Sequence, residues 1–131
     1  MKETILLFHV PDKDTLLKIE MALFPLHVRL RRVAKEDYNQ PLGALAGIKD
    51  IPKLSESYEG EELNDTLFVF AFFTDARLNQ ALAALRKSGA GPFPYKAILT
   101  PTNQTWNAMQ CFREIKEERE AILKQQENKA K

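Results

Sequence analysis

Two short apolar runs dominate the pattern of the chain: Thr4 to Val10 (TILLFHV), closed by Pro11, and Leu67 to Phe73 (LFVFAFF), closed by Thr74 and Asp75. Uninterrupted runs of this length, bounded by turn residues, predict strands buried on both faces in the middle of a sheet. Residues at helical spacing follow each run. After the first, Asp12 or Asp14 caps a predicted helix carrying Leu16, Ile19 and Leu23, with Leu17, Met21 and Phe24 beside them, until Pro25 stops it. After the second, Thr74 or Asp75 caps a helix with Leu78, Leu82 and Leu85 that ends at Gly89. A further strand is predicted behind each helix. Val28 to Val33 (VRLRRV) alternates Val28 and Leu30 with Arg29 and Arg31, and Tyr95 to Leu99 (YKAIL) places Tyr95, Ala97 and Leu99 on one face.

The order strand, helix, strand, twice over, predicts an α+β domain of the ferredoxin-like, split βαβ type. Its antiparallel sheet, in spatial order 4-1-3-2, puts the two driest strands at the centre. VRLRRV then lies at an edge, where its Arg side chains oppose pairing with another sheet. Along the third strand Phe68, Phe70 and Phe72 are predicted to point one way, and Leu67, Val69, Ala71 and Phe73 the other. Two crossover helices cover only one of these faces. The other is assigned to a C-terminal helix, within one chain or across a homodimer. Thr105 or Asn103 would cap it, and Ala108, Met109, Phe112, Ile115 and Ile122 form its apolar side. Its polar tail, 125–131, is expected to fray. Residues 34–65 form an insertion between the second and third strands, with a short helix over Pro41 to Gly47. The stretch from Asp50 to Asp65 carries six acidic residues against Lys53 and is expected to be an exposed, mobile loop.

At 131 residues the chain makes a single domain, 1–131, and its 44% apolar and 28% charged residues exclude a disordered or low-complexity sequence. Nineteen Lys and Arg nearly cancel eighteen Asp and Glu, for a net charge of +1. No global field therefore draws in nucleic acid or an anionic membrane, and neither is an expected partner. The one cysteine, Cys111, has no internal partner, and the start MKETILLFHV lacks a leader pattern, so a cytoplasmic location is expected.

Candidate chemistry is sparse. His9 and His27 fall at opposite ends of the predicted sheet, and with one Cys no metal-ligand spacing occurs, so neither a metal nor a cofactor is expected. Cys111 reads as a packing residue. The glycine-rich piece SGAGPFP, from Ser88 to Pro94, follows a helix instead of opening one; it reads first as a helix-ending turn and second as a rigid lip beside a ligand. Arg29, Arg31, Arg32 and Lys35 lack the aromatic and glycine pattern of an RNA-binding sheet. They read as a solvated edge, with the acidic insertion as a source of ion partners.

The most individual peptide is Lys96 to Trp106, KAILTPTNQTW. Its hydroxyls and amide suit a helix entrance, with Trp106 closing the turn against the core, and the same end of the predicted sheet carries His27, Thr74 and Asp75. Lys96, Thr100, Asn103, Trp106, Asp75 and His27 are therefore the candidate contacts for a ligand or partner, and no catalytic residue is assigned. Lys96 stands first because packing explains it least, and Trp106→Ala is expected to destabilise far more than Asn103→Ala.

KAILTPTNQTW, preceded by LFVFAFFTDARLNQALAALRKSG, resembles a family of small bacterial proteins catalogued as domain of unknown function 3783. The resemblance covers Leu67 to Glu120 and rests on Lys96, Ala97, Leu99, Thr100, Asn103 and Trp106; PLGALAG, Pro41 to Gly47, is similar to a helix upstream in such proteins. It implies a shared fold and no activity. The expected function is a cytoplasmic regulatory or adaptor domain, without catalysis, binding a small polar ligand or a protein. The rival is an enzyme with a site at the second and third helix starts, His27 or Asp75 beside Thr100 and Asn103.

Overall fold

Strands β1 (Thr4–Phe8) and β3 (Leu67–Ala71) lie antiparallel at the centre of a four-stranded sheet, and all ten of their residues are buried. The computed structural model describes residues 2–130. Around this pair the chain adds α1 (Lys13–Leu23), β2 (Arg29–Val33), α2 (Leu42–Ala46), α3 (Asp75–Lys87), β4 (Tyr95–Ile98) and α4 (Ala108–Ala130). The sheet order is β2-β1-β3-β4, with β2 parallel to β1 and β4 parallel to β3.

The α+β class and the central position of β1 and β3 are as the sequence predicts. The antiparallel 4-1-3-2 order is not: the sheet is mixed, and the two edge strands have changed places. Each crossover helix returns its strand beside the strand it left, which makes each outer pair parallel. Hydrophobicity ranks strands as central or edge, but does not say which edge strand joins which side.

The alternation of side chains divides the core into two layers. Ile5, Leu7, Phe68 and Phe70 face Ile19 and Leu23 of α1 and Ala81 and Leu85 of α3. Both helices have capped starts. The Asp12 carboxylate accepts from the Thr15 N–H at 2.7 Å and the Thr15 hydroxyl at 3.0 Å, bonds that hold its carboxyl below the usual range. The Thr74 hydroxyl accepts from the Arg77 N–H at 3.2 Å.

Leu6, Phe8, Leu67, Val69 and Ala71 face the opposite layer, built from Tyr38, α2, Leu63 and the first turns of α4. Phe72 joins this layer and Phe73 the first one, the reverse of the predicted alternation. The strand stops at Ala71, and Phe72 takes φ 68°, in the left-handed region that interrupts the strand period. His9, just after β1, does the same at φ 58°.

The C-terminal helix therefore covers only part of its assigned face. Ala108, Cys111 and Phe112 are buried, the Phe112 ring stacks on Tyr95 at 4.3 Å, and residues 116–127 are exposed. Lys131, the end of the tail expected to fray, lies outside the described residues. The insertion supplies the remaining cover, and its loop is held more firmly than its acidity suggests. The Gln40 side chain donates to the Leu54 carbonyl at 2.8 Å and accepts from the Leu54 N–H at 2.7 Å. The Tyr38 ring lies tilted against that of Tyr58, 5.8 Å between centres, and its hydroxyl donates to Glu62 at 2.5 Å. Burial and the Glu62 carboxylate together raise the Tyr38 pKa well above the ordinary phenol value.

Phe112→Ala should cost about 3 to 5 kcal/mol in urea unfolding, while removal of 121–131 should change stability by about 1 kcal/mol or less, because α4 packs through its first turns alone. A loss from the truncation as large as that from Phe112→Ala would contradict this division of the helix.

Candidate functional site

The KAILTPTNQTW peptide splits into two places. Its second half folds on itself. The Asn103 side-chain oxygen accepts from the Thr100 N–H at 2.8 Å, its amide donates to the Ile98 carbonyl at 2.9 Å, and the Thr100 hydroxyl accepts from the Asn103 N–H at 3.2 Å. Asn103 is thus a buried loop staple and not the cap of α4. That cap is Asn107, which accepts from the Gln110 N–H at 2.9 Å.

The loop so formed presents carbonyls to the start of α2. The Leu42 N–H donates to the Trp106 carbonyl and the Gly43 N–H to the Gln104 carbonyl, each at 2.8 Å, filling two donor positions that a helix start leaves open. The Ala108 N–H donates in turn to the Tyr38 carbonyl at 3.2 Å. Gly43 is required by the close approach: a Cβ there would strike the Ile51 side chain and lie 3.1 Å from the Gln104 carbonyl oxygen. Trp106 is half-buried against the same layer.

Thr100, Asn103 and Trp106 are therefore together, and the other three predicted residues stand apart. Asp75 is the first residue of α3 and has no hydrogen bond or ion pair from its side chain among the described residues. His27, at φ 57°, leads into β2, three strand spacings or about 14 Å from the β4 edge. At that end of the sheet the polar groups are used in structure: Arg77 grips Glu3 through Nε at 3.0 Å and Nη2 at 2.9 Å, and also donates to the Leu26 carbonyl. The two histidines are at opposite ends of the parallel β1–β2 pair, as predicted.

Lys96 projects to the other face of β4 from Tyr95 and Ala97, into an open cleft of about 540 Å³. Leu82, Leu85 and Phe93 form its apolar wall, and Arg86 of α3 and Arg119 of α4 complete a trio of cations with Lys96. Arg119 lies 5.9 Å from the centre of the Tyr95 ring, which holds it at the rim. None of the three cations is in an ion pair among the described residues. Partial burial, and then the like charges of Arg86 and Arg119, lower the Lys96 pKa below the ordinary lysine value. The Ser88 to Pro94 piece is both a turn and a lip: Gly89, Gly91, Pro92 and Pro94 border the cleft. Arg86 and Arg119 carry no signal in the sequence, since the three cations come from three separate elements.

Cys111 lies buried in the α4 layer, where burial pushes its thiol up to about 12. No group of three or more acidic, His or Cys side chains suited to a metal occurs among the described residues, and no helix there is long and apolar enough to cross a membrane. Residues 66–122 match the family described as Domain of unknown function (DUF3783), a segment that includes Arg86, Lys96 and Arg119 and leaves out β1, β2 and α2. No curated protein and no solved structure matches the chain.

Asn103→Ala leaves the Thr100 N–H and the Ile98 carbonyl without partners and should cost about 2 to 4 kcal/mol. That would equal or exceed the loss from the half-buried Trp106→Ala, reversing the ranking expected from sequence. Thermal unfolding of the two variants checks the order; an Asn103→Ala protein as stable as the parent would remove the staple account. The Cys111 thiol should react with a disulfide reagent only after unfolding, and rapid labelling of the native protein would contradict its burial.

Proposed function

We propose that the chain, whose residues 66–122 match the domain of unknown function 3783, is a non-catalytic binding domain of regulatory or adaptor type, which takes a small organic anion at the cleft beside β4. The carrying observation is the convergence of Arg86, Lys96 and Arg119 on one cleft with no carboxylate among its lining residues. Three like charges held together raise one another's energy, and an anion between them relieves that repulsion. The wall of Leu82, Leu85 and Phe93 adds an apolar surface, so the ligand class is a carboxylate or phosphate carrying an aliphatic or aromatic body. Specificity would follow from both halves of the ligand.

Isothermal titration with phenyl phosphate and with benzoate, against sodium chloride of equal ionic strength, tests the reading. Saturable binding is expected, with Lys96→Ala weakening it about tenfold or more while leaving the melting temperature of the free protein nearly unchanged. Absence of binding beyond the salt control would overturn it. The pH dependence has a fixed sign. A bound anion favours the protonated ammonium, so affinity should fall as pH rises through the lowered Lys96 pKa, and this fall should disappear in Lys96→Arg. Affinity that rises with pH would contradict the role given to Lys96.

A further inference from the structure

β2 is an edge strand, and among the described residues one side of its backbone has no strand beside it. The Arg29 N–H donates to the Glu3 carbonyl at 2.9 Å. By the alternation of a strand's backbone, Arg29, Arg31 and Val33 turn their polar groups to β1, and Leu30 and Arg32 turn theirs outward. Such an edge is a template for a further strand.

Alternation places the side chains around it on two faces. Arg29 and Arg31 share the face of Val33, which belongs to the α2 layer, and the Arg31 guanidinium is fixed there by donating to the Leu45 carbonyl at 2.5 Å. Arg29, Arg31, Arg32 and Lys53 line one surface hollow along the edge. None of these four cations is in an ion pair among the described residues, although six acidic residues lie between Asp50 and Asp65, nearby in sequence. On the opposite face Leu23, Phe24, Val28 and Leu30, together with Lys2, Glu20 and His27, line a cleft of about 310 Å³, and Phe24 is 77% exposed. The edge thus offers Arg29 and Arg31 to one side and a partly apolar recess to the other, with the exposed Arg32 beyond Leu30 on that second side.

We propose that the β2 edge receives an extended protein segment of alternating acidic and aliphatic residues, which adds to the sheet as a fifth strand. Alternation lets one such segment satisfy both faces at once: its carboxylates meet Arg29 and Arg31, its aliphatic side chains enter the recess beside Val28 and Leu30, and its amides pair with Leu30 and Arg32. The same cations oppose a second copy of β2, which would set Arg against Arg. A nucleic-acid backbone supplies acceptors for the guanidinium groups but no N–H row for the outward carbonyls and no aliphatic side chain for the recess. The surface lies at the opposite edge from the β4 cleft and outside residues 66–122, so it stands or falls independently of the anion site.

The test is fluorescence anisotropy of a labelled peptide of alternating Glu and Val, titrated with the full chain at low salt. Saturable binding is expected, weakened about tenfold or more by Arg29→Glu, whose side chain is exposed and in no ion pair among the described residues. Lys96→Ala should leave it unchanged. N-methylation of one alternate set of peptide amides should abolish binding, and N-methylation of the other set should leave it intact, because only one set faces β2. Tolerance of both methylated peptides would overturn the strand-addition geometry. Equal affinity for a single-stranded oligonucleotide, or for a peptide of alternating Lys and Val, would overturn the acidic and aliphatic identity of the partner. Self-association of the free chain that Arg29→Glu changes would assign the edge to a second copy instead.

Discussion

A central pair of strands buried on both sides must be covered on both sides, and most of the structure follows from that requirement. Ile5, Leu7, Phe68 and Phe70 on one face of β1 and β3, and Leu6, Phe8, Leu67 and Val69 on the other, are each at or near zero exposure. Burying one such side chain stabilises the fold by about 1.5 to 3 kcal/mol, so neither face can be left to solvent in a stable monomer. The two crossover helices serve a single face, because both βαβ units fold the same way about the sheet. The second face has no helix of its own from that plan.

Its cover is assembled from distant pieces. Tyr38 and α2 come from the insertion, and the Thr100–Trp106 loop and the start of α4 come from the end of the chain. Three backbone hydrogen bonds join them: Ala108 to Tyr38, Leu42 to Trp106 and Gly43 to Gln104. This explains why a peptide as individual as TPTNQTW carries so little freedom for ligand chemistry. Asn103 spends both ends of its amide inside the loop, and the carbonyls of Gln104 and Trp106 serve as the cap that α2, led by Pro41, has no side chain to provide.

The parts of the fold legible in the sequence were those set by local physics. The dryness of TILLFHV and LFVFAFF places them at the centre, Asp12 and Thr74 mark helix starts, and the Arg residues of VRLRRV mark an edge. Strand order was not legible, since exchanging β2 and β4 leaves every strand with the same degree of burial. Nor was the left-handed turn at Phe72, because an aromatic residue is a poor signal for positive φ. Of the candidate residues, Lys96 could be singled out because packing did not explain it. Its companions Arg86 and Arg119 could not: they meet it only after α3 and α4 have docked on either side of the β4 edge.

The division between a motif that holds the fold and surfaces that remain for binding depends on the second layer being one cooperative unit with the sheet. Native-state amide hydrogen exchange tests this directly. The Leu42 and Gly43 N–H groups, bonded to the Trp106 and Gln104 carbonyls, should exchange only through global unfolding, with the same free energy and denaturant dependence as Leu6 and Val69 in the central strands. Exchange of Leu42 and Gly43 through a separate opening, at a free energy several kcal/mol below that of the central strands, would show that the insertion and the TPTNQTW loop are not what closes the core.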